Sequence, residues 1–293
     1  MDQRQIKQPS NAFILDNSAI FDAGEIANSN VIHFEDKSHH PYGTDKKTEH
    51  VPLAPEIITH LGSFPITNSL FFSLLITFLL ASFTIIFSKK ITLIPGNFQA
   101  FIEIIFEYIY TLGEELAHSR IKTFFPWVMT FFVYILTANI LALFPGVSTI
   151  GFYQISENQE RFIPLFRSIN SDLNMTLSLA LISVVATHFF SIKFIGLFNY
   201  LKRWFSIKMF GLFLFVGILE LVAEFTKIIS LSFRLFGNIL AGKVLLKTAW
   251  SVSAFIVPLP FYFLEMVVAV VQAVVFMMLT LVFMAMLSDK HDN

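Results

Sequence analysis

The sequence predicts an all-α integral membrane protein with five transmembrane crossings. Of the 293 residues, 55% are hydrophobic and 14% are charged, whereas about 25% of residues are charged in an average soluble domain. Several apolar runs are long enough for a helix to cross a hydrocarbon core about 30 Å thick. Basic residues also concentrate in alternate connections between these runs, as expected for a multi-pass protein.

The first predicted segment is a polar extension over residues 1–66, which precedes a membrane domain over 67–290. The extension holds five basic and nine acidic residues. It lacks the basic start, apolar run and small-residue cleavage site of a signal peptide, so we do not expect one.

Three spans and one interfacial helix come next. Apolar runs predict spans at 69–88, 124–144 and 174–192. Between the first two, acidic residues repeat at helical spacing opposite an apolar side. This pattern predicts an amphipathic helix over 97–118 that lies along the membrane surface.

The last two predicted helices are unusually long. The apolar stretch from Met209 to about Val257 would be about 70 Å long as one helix, more than twice the membrane thickness. We therefore expect a helix over 209–250 that tilts strongly, breaks, or lies partly along the membrane. A final helix over 261–287 also exceeds one perpendicular crossing, and we expect it to form a tilted hairpin with its predecessor.

Charge counts predict the orientation and exclude several functions. Nine Lys and Arg residues lie in one set of connections and two in the other, which places the N-terminus outside and the C-terminus in the cytoplasm or matrix. A net charge of -1 argues against nucleic-acid binding. The absence of cysteine excludes disulfides, thiolate metal sites and cysteine nucleophiles.

A charged stripe inside the 209–250 helix is the main functional signal. At 100° per residue, its five polar residues share an arc about 80° wide: Glu220, Glu224, Lys227, Arg234 and Asn238. A self-neutralising ladder of ion pairs is one explanation for the first three. It fails for Arg234, whose nearest carboxylate in sequence is ten residues away. An unpaired cation at this depth suggests an anion supplied by another chain.

Glu265 and Gln272 lie on one face of the final helix. A hairpin turn centred near residues 252–253 would place Gln272 opposite Arg234, and Glu265 within a turn of Lys243. A centre five residues later would break both pairings. The position of Lys243 within an apolar run has an equally good explanation, in which its long side chain reaches the membrane surface.

Four segments resemble the a subunit of rotary F-type ATP synthases, and they appear in that family's order. They are Pro95–Gln99, Ser171–Ser178, Ile229–Gly242 with its Ser-Phe-Arg-Leu-Phe-Gly-Asn core, and Gln272-Ala273 before a Phe- and Met-rich run. The resemblance implies two aqueous half-channels beside a rotating ring of carboxylate-bearing c subunits.

The resemblance also implies site residues. Arg234 would separate the half-channels, with Asn238, Gln272 and Glu265 lining the outer one and Glu220 the inner one. The family usually has Glu or His where this chain has Lys243. Hence either Lys243 is a counter-ion to Glu265, which we favour, or it titrates itself. Near the end of the second span, the family often has an acidic residue where this chain has Ala142.

The sequence therefore predicts a non-catalytic, ion-translocating stator subunit with no cofactor or metal. Its partners would be the c-ring, peripheral-stalk b subunits, the rest of the ATP synthase and the lipid bilayer. We expect a bacterial cell inner membrane, with the mitochondrial inner membrane as the alternative, and the coupling ion stays open between proton and sodium. A stand-alone secondary transporter is the alternative function. For an enzyme, His188 is the only histidine on its span, where a structural hydrogen bond is the better expectation.

Overall fold

A computed structural model describes residues 55–61, 64–144, 146–156, 159–204, 210–253 and 256–288. Most of the predicted extension lies outside these residues. Five helices in the described parts are long and apolar enough to cross a membrane. This confirms the predicted all-α membrane fold with five spans.

Seven α-helices make up most of the described structure. They are α1 Asn68–Ser88, α2 Asn97–Ala117, α3 Ile121–Leu143, α4 Leu173–Ile195, α5 Leu197–Trp204, α6 Phe210–Val252 and α7 Pro258–Ser288. Helix α2 carries its acidic residues on one side and is not among the five span candidates. The short helix α5 directly follows α4.

Helices α6 and α7 form the hairpin that the sequence predicts. Helix α6 runs without interruption for 43 residues, which contradicts a break and leaves the other two of the three expected alternatives. Its length of about 65 Å still exceeds the membrane thickness. Tilt or a course partly along the surface is therefore how this helix fits a bilayer.

The apolar core lies between α3, α4 and α7. Its largest fully buried side chains include Phe124 and Ile135 of α3 and Phe276 and Met277 of α7. Helix α1 packs at the edge, where Phe72 contacts a small cluster that includes Ile169. This close-packed centre holds α7 firmly and leaves much of α6 on the outside.

Two short antiparallel hairpins were not expected from the sequence. One pairs β1 Ile57–Leu61 with β2 Phe64–Thr67, where the predicted extension joins the membrane domain, and the other pairs β3 Gly151–Ser156 with β4 Gln159–Pro164. These strands are four to six residues long. Runs this short carry little periodicity, although their β-branched and aromatic residues suit strands.

Candidate ion-translocation site

Arg234 lies on the exposed side of α6, about midway along the helix. Its side chain is exposed, and none of the residues that the structure describes forms a hydrogen bond or ion pair with it. The same side of α6 exposes Ser230, Asn238 and Ala241. A fixed cation therefore lies on a face of α6 that the described residues leave uncovered.

Asn238 fixes the register of α6 against α7. Its side-chain amide donates to Oε1 of Gln272 over 2.6 Å. Gln272 is buried, whereas Asn238 is exposed. Neither expected turn centre gives this pairing, because Gln272 lies opposite Asn238 rather than opposite Arg234, one helical turn earlier. The midpoint of this pair is position 255, so the hairpin is centred about two residues later than the expected centre at 252–253.

Lys243 and Glu265 line one small cavity of about 60 Å³, together with Asn139, Ser168 and Tyr262. Such a volume is large enough to hold water. The Ser168 hydroxyl is buried and has no hydrogen-bond partner in the described part of the chain. Polar side chains thus surround a space suited to water beside the Glu265 carboxyl group.

Two contacts hold the charged groups at this cavity. The Lys243 ammonium donates to Oγ of Ser171 over 3.0 Å, and the Glu265 carboxyl group lines the same cavity. The backbone at Gly242 lies directly against the Glu265 carboxyl group, so that a Cβ atom there would overlap the carboxyl oxygens. Glycine is therefore required at 242 for Glu265 to occupy its place.

A buried polar network continues from the cavity toward the start of α4. Asp172 accepts a hydrogen bond of 2.5 Å from the Ser69 hydroxyl of α1. Asn170 donates to Oδ1 of Asn139 over 2.6 Å, and Asn139 donates to the backbone carbonyl of Ala269 over 3.4 Å. These contacts tie α1, α3 and α7 to the short turn Ile169–Ser171.

Arg167 is a buried cation in the same region, and sequence reasoning did not identify it as a site residue. Burial lowers the pKa of its guanidinium, while the charges of Glu56 and Asp172 oppose that shift. Arginine nevertheless stays protonated in proteins. The positive charge of Arg167 also acts electrostatically on the Lys243 ammonium group. The four residues between Arg167 and Asp172 show no sequence pattern that would reveal the network.

A second polar cluster surrounds Glu224, toward the other end of α6. The Lys227 ammonium donates to Oε1 of Glu224 over 2.7 Å, which is one ion pair of the ladder considered from the sequence. Nε2 of His188 lies 3.5 Å from Oε2 of the same carboxylate. The Tyr200 hydroxyl lies 2.8 Å from Nδ1 of His188. Glu220 is half-buried nearby and acts electrostatically on the imidazole.

The site residues expected from the sequence therefore fall into three places. Asn238 and Gln272 are hydrogen-bonded near the middle of α6, one helical turn from Arg234. Lys243 and Glu265 meet at the cavity. Glu220 belongs to the cluster around Glu224. Glu220 itself lies about 21 Å from Arg234 along the helix axis.

Comparison with known proteins decides the family. The family described as ATP synthase A chain matches residues 70–285. This chain belongs to that family. The match includes all five span candidates except their outermost residues. The chain is thus an ATP synthase a subunit of the membrane-embedded sector, and a multi-pass membrane protein.

Individual a subunits agree with this assignment. The chain is 28% identical over 239 residues to ATP synthase subunit a of Moorella thermoacetica, covering 82% of this chain and 99% of that one. The same identity is found over 242 residues with subunit a of Campylobacter fetus, covering 82% and 98%. A shorter stretch of 135 residues is 38% identical to subunit a of Campylobacter curvus, covering 46% and 60%.

Proposed function

We propose that this a subunit is the stator of a proton-driven rotary motor and that Arg234 is its fixed charge. The observation that carries the proposal is the exposed guanidinium of Arg234, which has no partner in the described part of the chain. A cation within the hydrocarbon layer is costly unless an opposite charge or water accompanies it. A carboxylate on a c-ring subunit that passes this face is the expected partner.

Arg234 would act on that carboxylate by electrostatics. A neighbouring cation favours the ionised form of a carboxyl group, so the proton leaves as the carboxyl group approaches Arg234 and returns as it departs. The cation would also block protons from passing straight between the half-channels. A membrane potential supplies about 2.3 kcal/mol per charge per 100 mV, which biases the direction of rotation.

Two polar regions are the candidates for the half-channels. The outer one includes the cavity at Lys243 and Glu265, about 14 Å along the α6 axis from Arg234. The inner one includes Glu220 and the cluster around Glu224, about 15 Å from Arg234 in the other direction. Their offset along α6 supports entry and exit at different heights.

In the outer half-channel, Glu265 would carry the proton and Lys243 would be its counter-ion. The bond from Lys243 to Ser171 supports this role, because it holds the ammonium at one wall of the cavity. Asn238 and Gln272 would line the path from Glu265 toward Arg234.

The subunit would be non-catalytic, with ATP chemistry on other subunits. We propose the bacterial inner membrane, with the N-terminus outside and the C-terminus in the cytoplasm, because of the basic residues in alternate connections. Its direct partners would be the c-ring and the peripheral-stalk b subunits. Membership of the ATP synthase family favours this function over a stand-alone transporter.

The test is Arg234→Ala in the assembled complex. We expect ATP synthesis driven by an imposed proton gradient to fall to background in membrane vesicles, while the subunit still co-purifies with the c-ring. Lys89→Ala is the matched control, since it removes an exposed cation at the end of α1, and it should keep full synthesis. If the Arg234 variant retained proton-driven ATP synthesis, the proposal would be contradicted.

A further inference from the structure

We propose that His188 carries protons between Glu224 and Tyr200 and so completes the inner half-channel. This inference rests on the proposed function and adds residues that the family resemblance did not supply. The substrate is the proton itself, which during ATP synthesis would leave by this path.

The geometry gives each imidazole nitrogen its own partner. Nε2 of His188 faces Oε2 of Glu224 at 3.5 Å, and Nδ1 lies 2.8 Å from the Tyr200 hydroxyl. The two partners come from different helices, α6 and α5. An imidazole between a carboxyl group and a hydroxyl group can take a proton on one side and release one on the other.

The surroundings of Glu224 keep one carboxylate oxygen directed to the imidazole. Glu224 is only 7% exposed. Lys227 binds the other oxygen, Oε1, over 2.7 Å, and the same ammonium lies 5.0 Å from the ring centre of Phe283 in α7. The charged groups acting on the imidazole are Glu224, Lys227 and Glu220, all from α6.

The three residues also span the depth that an exit path needs. Tyr200 lies on α5, in the basic connection that the charge counts place inside. His188 lies about 10 Å before the end of α4, and Glu224 lies about 15 Å from Arg234 along α6. The relay therefore covers much of the distance between the inner surface and Arg234.

Each transfer balances as a proton step. The O–H bond of protonated Glu224 breaks as an N–H bond forms at Nε2, giving an imidazolium ion. The Nδ1–H bond then breaks as its proton passes to the Tyr200 oxygen, while the original hydroxyl proton of Tyr200 passes to water. Rotation of the neutral imidazole ring about its Cβ–Cγ bond then returns the N–H group to the Tyr200 side, so that this reset neither adds nor removes a proton.

The test compares His188→Ala with and without added imidazole, in membrane vesicles that contain the assembled complex. We expect ATP-driven proton pumping to fall about tenfold, a modest loss for a proton-transfer group, and imidazole to restore much of it. His118→Gln is the matched control, because His118 is exposed and lies outside the relay, and it should pump at the normal rate.

A purely structural histidine gives a different result. In that case His188→Gln, which keeps a hydrogen-bonding side chain, would pump normally, and imidazole would not rescue His188→Ala. Either outcome overturns the relay. If His188→Ala fails to assemble, Tyr200→Phe supplies the answer, since it keeps the ring and removes only the hydroxyl group. We expect several-fold slower pumping from that variant, and an unchanged rate would overturn the inference.

The outcome also separates this inference from the proposed function. If the His188 variants pump protons normally while Arg234→Ala loses coupling, only the proposed relay is contradicted. If Arg234→Ala keeps normal coupling, the proposed function is contradicted, whatever the His188 variants do.

Discussion

Asn238 of α6 donates a 2.6 Å hydrogen bond to Gln272 of α7, one helical turn from Arg234. This bond joins the exposed side of α6 to the buried side of α7. It therefore sets the height at which the Arg234 guanidinium stands relative to the cavity around Glu265.

The first prediction concerns this bond. We expect Asn238→Ala and Gln272→Ala each to reduce coupled ATP synthesis, and the double variant to lose less than the sum of the two. Residues in direct contact usually show coupling energies of about 0.5–3 kcal/mol. A double-mutant cycle on synthesis rates measures this coupling, and strictly additive losses would contradict a functional contact.

The second prediction concerns Gly242. Replacement by alanine should displace the Glu265 carboxyl group, since the added methyl group overlaps it. Proton-driven synthesis should fall severalfold while the complex still assembles. Gly96→Ala is the control, because a Cβ atom there meets nothing within 4 Å. Equal activity of the two variants would show that Glu265 tolerates displacement.

The third prediction separates the roles of Lys243 and Glu265. If Glu265 carries the proton and Lys243 is its counter-ion, Glu265→Gln should reduce proton pumping more than Lys243→Gln does. Exchanging the two residues in one variant should restore part of the loss. Equal and additive losses, without recovery in the exchanged variant, would argue against their pairing.

The fourth prediction concerns stability. Ser69→Ala removes the hydroxyl group that donates to Asp172, a carboxylate only 3% exposed. Leaving a buried acceptor without its donor costs about 1–3 kcal/mol. The variant should show a lower thermal unfolding temperature of the detergent-solubilised subunit. Ser88→Ala, at the exposed end of the same helix, should not.

The sequence predicted the features that depend on position along one helix. Arg234 and Asn238 share the exposed side of α6 because helical spacing places them there. The proximity of Lys243 to Glu265 was also anticipated, since both lie near the turn of the hairpin. The partner of Gln272 was misplaced by one turn, because a shift of about two residues in the centre of the hairpin moves every contact between the two helices.

Other parts of the site depend on segments far apart in the sequence. Ser69 and Asp172 are 103 residues apart and meet only after α1 packs beside the start of α4. The contact between His188 and Glu224 likewise joins two helices, and no spacing within either helix reveals it. His188 was expected to form a structural hydrogen bond, and the structure gives it a tyrosine hydroxyl as a neighbour.

The side of α6 that the described residues leave exposed also has a consequence for biogenesis. A subunit inserted alone would present Arg234 and Asn238 to lipid chains, where an unaccompanied guanidinium is costly. The newly made chain should therefore be short-lived until a partner covers that helix, which makes it a natural substrate for membrane proteases in cells that lack the partner. Its abundance would then follow the supply of the partner rather than its own rate of synthesis.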